Sequence, residues 1–419
     1  MALLTLALPA FACPTIATGT SSPLAFDVAQ VAIVHENGRT TFSVSVNPFG
    51  DPQEFALVMP VPEVLEESEV RTLDGTIFAT LDGYTGPRHV ADAGCWQGYY
   101  GGYGYDSGCG EGVDMSASSG GGTTTGAVDV EAEYLVGEYQ ITILSSEESL
   151  ALQTWLDEHG YSLPPGADER LAEYIESGSF FLAAKVADDA ALADGTPLSP
   201  LQVSYESDLF YIPIRLATLN SPGEQDMVIY AISSASEGRV GIANYPEFDV
   251  PEGCVWGDPA TDDFAAFYDE VWTEAWTGVE DAGWAVEFAG GPWDCNPCTS
   301  TTVSPEQIAE LGYGGSWDEH FLTRIHLRYT PEQAGQDLTL YASGAYDTNV
   351  LSYADDVEMN YACVETFCDG TATPDAKGHE GDCAEDEEEG LAEACGCATG
   401  AAAPGWIALA IAGLVRRRR

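Results

Sequence analysis

Stretches in which apolar and polar residues alternate, or in which apolar residues follow one another, recur along most of the chain and predict β-strands. The strands predicted in this way span residues 24–34, 40–47, 55–61, 128–136, 139–144, 180–187, 202–205, 210–216, 227–233, 239–243, 285–288, 321–329 and 338–342. Between the first two strands, Asn37-Gly38 is typical of a tight hairpin turn, because both residue types tolerate positive φ. The pattern therefore predicts a chain in which strands outnumber helices.

Helical periodicity interrupts the strands at a few places. A pair of helices is expected near 146–177, and we predict that the first begins with a capping box of Ser145 and Glu148. A further helix is predicted near 262–278, where aromatic and aliphatic residues recur every three or four positions. A short helix is expected to begin at Ser304, just before a proline. Since strands and helices follow one another in a mixed order, the predicted fold class is α+β, with antiparallel or mixed sheets.

Changes in composition divide the chain into segments. Residues 1–12 are predicted to be a signal peptide, and residues 13–345 a β-rich body. A Gly/Tyr/Ser-rich insert at 94–126 interrupts the body and is expected to be a surface loop. Residues 346–394 lose apolar side chains and become acidic, which is typical of a flexible stalk. The last segment, 395–419, is predicted to be a sorting or anchor segment.

The start of the chain indicates export. A short apolar run leads into Ala10-Phe11-Ala12, the small-x-small pattern after which signal peptidase cuts, so cleavage is expected between Ala12 and Cys13. A cysteine directly after the cut leaves open a second interpretation, in which Cys13 carries a lipid. Both interpretations place the body outside the cytoplasm.

The end of the chain predicts attachment to the cell surface. After Cys395 and Cys397, a low-polarity segment at 401–415 is followed by Arg416–Arg419. Fifteen helical residues measure about 22 Å, against about 30 Å of membrane hydrocarbon, so a comfortable permanent span is not expected. The tail resembles the myxobacterial C-terminal sorting signal (MYXO-CTERM), which implies a sorting protease and the membrane as partners. An ordinary C-terminal anchor is the alternative.

The charge of the chain limits its partners. It has 68 acidic and 14 basic residues, for a formal net charge of −54. Such a charge repels phosphate backbones, so we expect no nucleic-acid partner. The only two lysines, Lys185 and Lys377, do not follow a glycine, which excludes a classical phosphate-binding loop.

Several short segments resemble one bacterial protein family. They include Trp155 to Pro164, Phe181 to Val186, Asn244-Tyr245-Pro246, Cys295-Asn296-Pro297-Cys298 and Phe321 to Glu332. Together these segments are similar to family 2330 of the domains of unknown function (DUF), over most of residues 13–345. The resemblance implies a fold class and no particular reaction.

The chain has eleven cysteines, which in an exported protein argue for disulfides. If sorting consumes one tail cysteine, ten remain, enough for five bridges. The local candidate pairs are Cys95 with Cys109, Cys295 with Cys298, and Cys363 with Cys368. Spacing alone does not establish the connectivity.

Cys295 and Cys298 are also spaced like a thioredoxin-type redox centre. That chemistry needs the first thiol at the start of a helix, whereas the predicted helix begins only at Ser304, so a structural disulfide is the preferred interpretation. A metal half-site is a third possibility for the pair. His320 and His326 lack an identifiable third ligand for zinc, and we predict no metal site and no cofactor.

These observations predict an exported, surface-attached structural or binding module without a recognisable catalytic centre. One alternative is an extracytoplasmic thiol-disulfide oxidoreductase that uses Cys295 and Cys298. A carbohydrate-active enzyme is a further alternative, favoured if two carboxylates line a deep aromatic cleft.

Overall fold

A computed structural model describes residues 15–18, 29–45, 55–90, 128–161, 163–164, 166–187, 198–220, 223–255, 264–279, 281–294 and 298–355. Its strands are β1 (Thr15–Thr18), β2 (Ala29–Glu36), β3 (Arg39–Val44), β4 (Phe55–Val61), β5 (Val70–Thr72), β6 (Arg88–Val90), β7 (Val128–Val136), β8 (Tyr139–Ser146), β9 (Phe180–Val186), β10 (Leu201–Glu206), β11 (Tyr211–Ile212), β12 (Gln225–Ser234), β13 (Val240–Ile242), β14 (Gly253–Val255), β15 (Gly283–Gly290), β16 (His320–Tyr329), β17 (Leu338–Ala342), β18 (Asn349–Val350) and β19 (Ser352–Asp355). The α-helices are α1 (Ile77–Thr85), α2 (Ser149–Glu158), α3 (Ala167–Glu176), α4 (Phe264–Trp276) and α5 (Pro305–Glu310).

Two sheets pack face to face at the centre of the protein. The larger sheet has the strand order β18-β15-β16-β12-β2-β3-β10-β5, and the smaller one the order β1-β4-β9-β8-β7. Most neighbouring strands are antiparallel, while β2 and β12 are parallel. The main hydrophobic core contains Phe42 and Ile229 from the larger sheet together with Ile141 and Leu182 from the smaller one. The core therefore lies between the two sheets.

Helices cover the outer faces of both sheets. Leu152 of α2 and Leu171 of α3 pack on the smaller sheet. On the larger sheet, Leu81 of α1 lies in one hydrophobic cluster, and Trp272 of α4 lies in another with Ala285 of β15. The protein is thus built as helix, sheet, sheet, helix. Among the described residues, no helix is long and apolar enough to cross a membrane.

The predicted α+β class is confirmed, because paired strands dominate and the helices lie outside them. The helical pair predicted near 146–177 corresponds to α2 and α3, and the helix predicted near 262–278 corresponds to α4. The hairpin turn is also found, with φ of 53° at Asn37 and 76° at Gly38. Two three-stranded sheets and the edge strands add pairing that hydrophobic alternation alone did not reveal.

Some local predictions were wrong. Ser145 and Ser146 do not begin a helix but end β8, paired with β7, and α2 starts at Ser149 without a side-chain cap. The strand predicted over 210–216 is limited to Tyr211–Ile212, because proline follows at 213 and cannot donate a ladder hydrogen bond. Strand pairing with β7 decided the first case, and the proline decided the second.

Helix α1 was missed, since its threonines and its internal Gly83 are poor helix formers. It is held by tertiary contacts of Phe78 and Leu81 with the larger sheet. A Cβ at Gly83 would lie 3.1 Å from Oγ1 of Thr301, so glycine allows the chain after β15 to pass close by. Strands β18 and β19 also follow the predicted end of the body at residue 345 and pair with its sheets.

Candidate functional site

Strand β16 carries three cationic side chains on one face. Arg324, His326 and Arg328 are two residues apart, and side chains two apart in a strand point to the same side of the sheet. The intervening Ile325 and Leu327 belong to the core between the sheets. The three cations therefore lie under the helices α1 and α4 that cover this sheet.

These cations form part of a row of seven ionisable side chains whose charges alternate. We call the charge row the side chains, in spatial order, of Asp82, Arg324, Glu287, His326, Asp226, Arg328 and Asp269. The members come from α1, β15, β16, β12 and α4, which are distant in sequence. The charge row therefore ties both covering helices to the centre of the larger sheet.

Arg324 occupies the first half of the charge row. Its Nη1 donates to Oδ1 of Asp82 at 2.6 Å and to the hydroxyl of Tyr230 at 3.0 Å. Its Nε donates to Oε2 of Glu287 at 2.5 Å. A planar guanidinium suits such divergent bonds, because its donors have fixed directions.

Glu287 is the most buried acid of the charge row, with 1% of its surface exposed. It lies two residues after Ala285, which packs beneath α4, so the alternation of the strand places it on the helix side of the sheet, at a β-bulge between Val286 and Phe288. Burial alone would raise the pKa of this carboxyl, but Arg324 and His326 outweigh it and hold the pKa well below its ordinary value. The hydroxyl of Tyr268 also donates to it, at 2.5 Å. Glu287 is therefore a carboxylate at neutral pH.

His326 lies between two carboxylates. Its Nδ1 is 2.7 Å from Oε1 of Glu287, and its Nε2 is 3.1 Å from Oδ1 of Asp226. Since carboxylate oxygens accept, both ring nitrogens must donate, which requires the imidazolium form. Burial alone would lower the pKa of His326, but Glu287 and Asp226 raise it to about 9. The ring also stacks on Trp272 at a centroid distance of 4.1 Å.

Arg328 closes the row on the α4 side. Its Nε and Nη2 donate to the two carboxylate oxygens of Asp226 at 2.7 and 3.0 Å, and Nη2 reaches Asp269 at 3.3 Å. The guanidinium carbon lies 4.6 Å from the centroid of the Trp272 ring. Only the end carboxylates are exposed, Asp82 by 52% and Asp269 by 70%. The acid and base groups between them are bound to one another, which favours a structural role.

An exposed aromatic group lies where β15 ends. We call the aromatic surface the side chains of Trp293, Asp294, Trp317 and Tyr346. Trp293 is 73% exposed and Tyr346 is 50% exposed, although large aromatic side chains usually gain by burial. The rings of Trp293 and Trp317 meet edge to face, with centroids 5.4 Å apart.

The aromatic surface is held by hydrogen bonds of its own backbone. The amide of Asp294 donates to the carbonyl of Gly291 at 3.1 Å, and its Oδ2 accepts from the Gly291 amide at 2.9 Å, which closes a turn. The same Oδ2 accepts from the hydroxyl of Tyr346. Because Trp293 is part of this hydrogen-bonded turn, the backbone that carries its exposed ring is held in one position.

The loop that carries Tyr346 is fixed as well. The amide of Arg239 donates to the carbonyl of Ala345 at 3.1 Å. Gly238 has φ of 66°, and a Cβ there would lie 2.0 Å from the same carbonyl oxygen. Only glycine permits this approach, so the backbone next to Tyr346 is closely packed.

Two surface depressions lie elsewhere. One, of about 380 Å³, is lined at α2 by Glu148, Trp155 and Glu158. The other, of about 580 Å³, lies beside the β2-β3 hairpin and is lined by Glu36 and Asp208 among others. Neither depression involves the charge row or the aromatic surface.

Most of the predicted site residues lie outside the described residues. These are Ala12, Cys13, Cys95, Cys109, Cys295, Cys363, Cys368, Cys395 and Cys397. Cys298 is described and is disulfide-bonded, while the pairing with Cys295 stays a prediction. The nearest following helix, α5, begins at Pro305, and Ser304 caps it, as the sequence predicted.

The two histidines considered as zinc ligands bind different partners and do not form one site. The Nδ1 of His320 is 2.5 Å from the carbonyl oxygen of Trp317, whereas His326 belongs to the charge row. Within the part of the chain that the structure describes, no group of three or more His, Cys, Asp or Glu residues could hold a metal ion.

Sequence analysis missed both the charge row and the aromatic surface. The alternation of Arg324, His326 and Arg328 was visible in the sequence and could have placed three cations on one sheet face. Their carboxylate partners come from distant strands, from a bulge and from a helix that was not predicted. No pattern in the sequence singled out Trp293.

Comparison with known proteins identifies a family. The family described as "Uncharacterized protein conserved in bacteria (DUF2330)" matches residues 8–341, which are 334 of the 419 residues. The chain belongs to this family, as its sequence segments had indicated. No curated protein and no solved structure matches it.

Proposed function

We propose that this member of family 2330 is an exported binding module, held at the cell surface, that engages a neutral polysaccharide through its aromatic surface. The observation that carries the proposal is the exposure of Trp293 and Tyr346 on a backbone fixed by hydrogen bonds. An exposed aromatic group on a rigid framework is typical of a binding surface.

The chemistry of the aromatic surface fits a sugar. Flat aromatic rings can cover the apolar C–H faces of a pyranose, and the carboxylate of Asp294 can accept hydrogen bonds from hydroxyl groups. The net charge of −54 repels acidic polymers, so a neutral polysaccharide is the favoured class. The charge row supports this role indirectly, because it fixes β15, from whose end Trp293 is displayed.

Co-sedimentation with insoluble neutral polysaccharides tests the binding. We expect the protein to sediment with at least one of cellulose, chitin and β-1,3-glucan. It should not sediment with an alginate gel, because alginate is an acidic polysaccharide that the negative charge of the protein repels. Trp293→Ala should abolish sedimentation, whereas Leu209→Ala, which removes a similarly exposed apolar side chain elsewhere, should not. Sedimentation that is unchanged by Trp293→Ala would contradict the proposal.

Placement at the cell surface is supported by the two ends of the chain, both outside the described residues. We expect the mature protein to lack residues 1–12 and Arg416–Arg419. The intact mass of the protein from cell envelopes checks this. A species that retains Arg416–Arg419 would favour an ordinary C-terminal anchor over a sorting signal. A protein found only in the cytoplasm would refute export.

A carbohydrate-active enzyme is a second and weaker candidate, located at the depression beside α2. Glu148 and Glu158 both line it beside Trp155, but they lie at opposite ends of α2, about 15 Å apart along the helix axis, whereas the carboxyl groups of glycosidases are about 5–9.5 Å apart. Release of reducing sugar, lost in Glu148→Gln and Glu158→Gln but kept in Trp293→Ala, would favour this candidate over a binding module.

The thiol-disulfide alternative is less well supported. Cys298 is already disulfide-bonded, and α5 begins at Pro305. A thiolate is stabilised chiefly at a helix N-terminus or beside a cation. Disulfide-exchange activity that is lost in Cys295→Ser would restore this alternative.

A further inference from the structure

Arg88 is a buried arginine outside the charge row. It is the first residue of β6 and follows the end of α1, and 6% of its surface is exposed. Its Nη2 donates to the carbonyl oxygen of Tyr84 at 2.9 Å, in the last turn of α1. The guanidinium carbon lies 5.9 Å from the centroid of the Phe288 ring. These contacts leave most of its donors unused.

The other two nitrogens of Arg88 are buried without an acceptor. Within the described part of the chain, neither Nε nor Nη1 has a hydrogen-bond partner. These two atoms carry three of the five N–H groups of a guanidinium. Buried polar groups are almost always hydrogen-bonded, and a buried charge is normally paired, so each exception calls for a physical explanation.

The contrast with the charge row shows how unusual Arg88 is. Arg324 and Arg328 are similarly buried, and each contacts two carboxylates. Among the described residues, no carboxylate forms an ion pair with Arg88. Burial lowers the pKa of Arg88, and the phenolic hydroxyl of Tyr84 is the group that opposes this effect. An arginine nevertheless keeps its proton, so the positive charge persists in an apolar setting.

We infer that Arg88 binds a small monovalent anion, of the size and charge of chloride, through its Nε and Nη1. A monovalent anion is expected because one negative charge neutralises the single guanidinium of Arg88. An anion of higher charge would be repelled by a protein that is already strongly acidic. A small ion fits best, because the guanidinium is nearly inaccessible and is flanked by the Phe288 ring. This inference does not depend on the proposed function.

Thermal unfolding of the whole mature protein tests the inference. Chloride replaces a large organic anion at constant sodium concentration and pH, so that general screening does not change. We expect the unfolding midpoint of the wild-type protein to rise saturably, by about 2 °C or more once chloride exceeds its Kd. Arg88→Met should lose this rise, and Arg88→Lys should need more chloride. Arg170→Met, which removes a surface cation from α3, should keep it.

Crystals of the wild-type protein soaked in bromide give a test that needs no variant. We expect an anomalous peak beside the Arg88 guanidinium, and its loss when excess chloride is added. An equal chloride response in the wild type and Arg88→Met would overturn the inference. So would bromide bound only at other positions, even if Arg88→Met does not fold.

Discussion

The protonated state of His326 gives the most quantitative prediction. Its folded pKa is about 9, against an ordinary value of 6.5, because Glu287 and Asp226 both accept from its ring. Folding therefore favours the protonated ring. At about 1.4 kcal/mol for each pH unit, this difference corresponds to about 3 kcal/mol of stability.

The sign follows from the two pKa values. Below pH 6.5 the ring is protonated in both states, and the contribution of His326 to stability is fully present. As the pH rises, the unfolded chain loses the proton first, so the free energy of unfolding falls. The contribution disappears once the pH passes about 9, where the folded protein also loses its proton.

Urea unfolding of the wild type, His326→Gln and His159→Gln between pH 6 and 10 measures the effect. The wild type and His159→Gln, which changes an exposed ring, should lose about 3 kcal/mol more than His326→Gln over this range. When the free energy of unfolding of His326→Gln is subtracted from that of the wild type at each pH, the contributions of the other ionisable groups cancel. Parallel stability curves for the wild type and His326→Gln would refute the assignment of an imidazolium to the charge row.

Three further predictions concern single features of the fold. Glu287→Gln should lower the free energy of unfolding by about 3 kcal/mol or more, since it leaves buried cations partly unpaired, and urea unfolding measures this. Gly238→Ala should be strongly destabilising because its Cβ would meet a backbone oxygen at 2.0 Å, whereas Gly160→Ala, in open space, should cost only about 1 kcal/mol; similar midpoints for these two variants would count against the close approach. Replacement of Cys295 and Cys298 by serine should lower the unfolding midpoint, and neither cysteine should be alkylated in the native protein; rapid native labelling of Cys295 would contradict a structural bridge.

The parts of the fold that sequence predicted are those determined by local chemistry. The period-two pattern of β16 and the Asn37-Gly38 turn need only their own residues to be recognised. The strand end at Ser146 and the helix that carries Asp82 depend on partners elsewhere in the chain. Local patterns therefore predicted the fold class and most strands correctly, but they predicted the first and last residues of these elements less accurately.

The candidate site could be predicted only in part for the same reason. Sequence contains the three cations of β16, but Glu287 faces them only because β15 pairs with β16. Tyr346 joins Trp293 through a hydrogen bond to Asp294 across 52 residues of chain. Contacts of this range follow from the order of strands in the sheets, which hydrophobic alternation does not determine.

The central claim is that the aromatic surface binds a neutral polysaccharide, and tryptophan fluorescence tests it most directly. The protein is titrated with soluble oligosaccharides of whichever polysaccharide it sediments with, beside Trp293→Ala and Leu209→Ala. We expect a saturable change in the wild type and in Leu209→Ala, and affinity at least about tenfold weaker in Trp293→Ala, the equivalent of about 1.4 kcal/mol. Equal affinity in all three proteins, or no saturable change in any, would contradict the account.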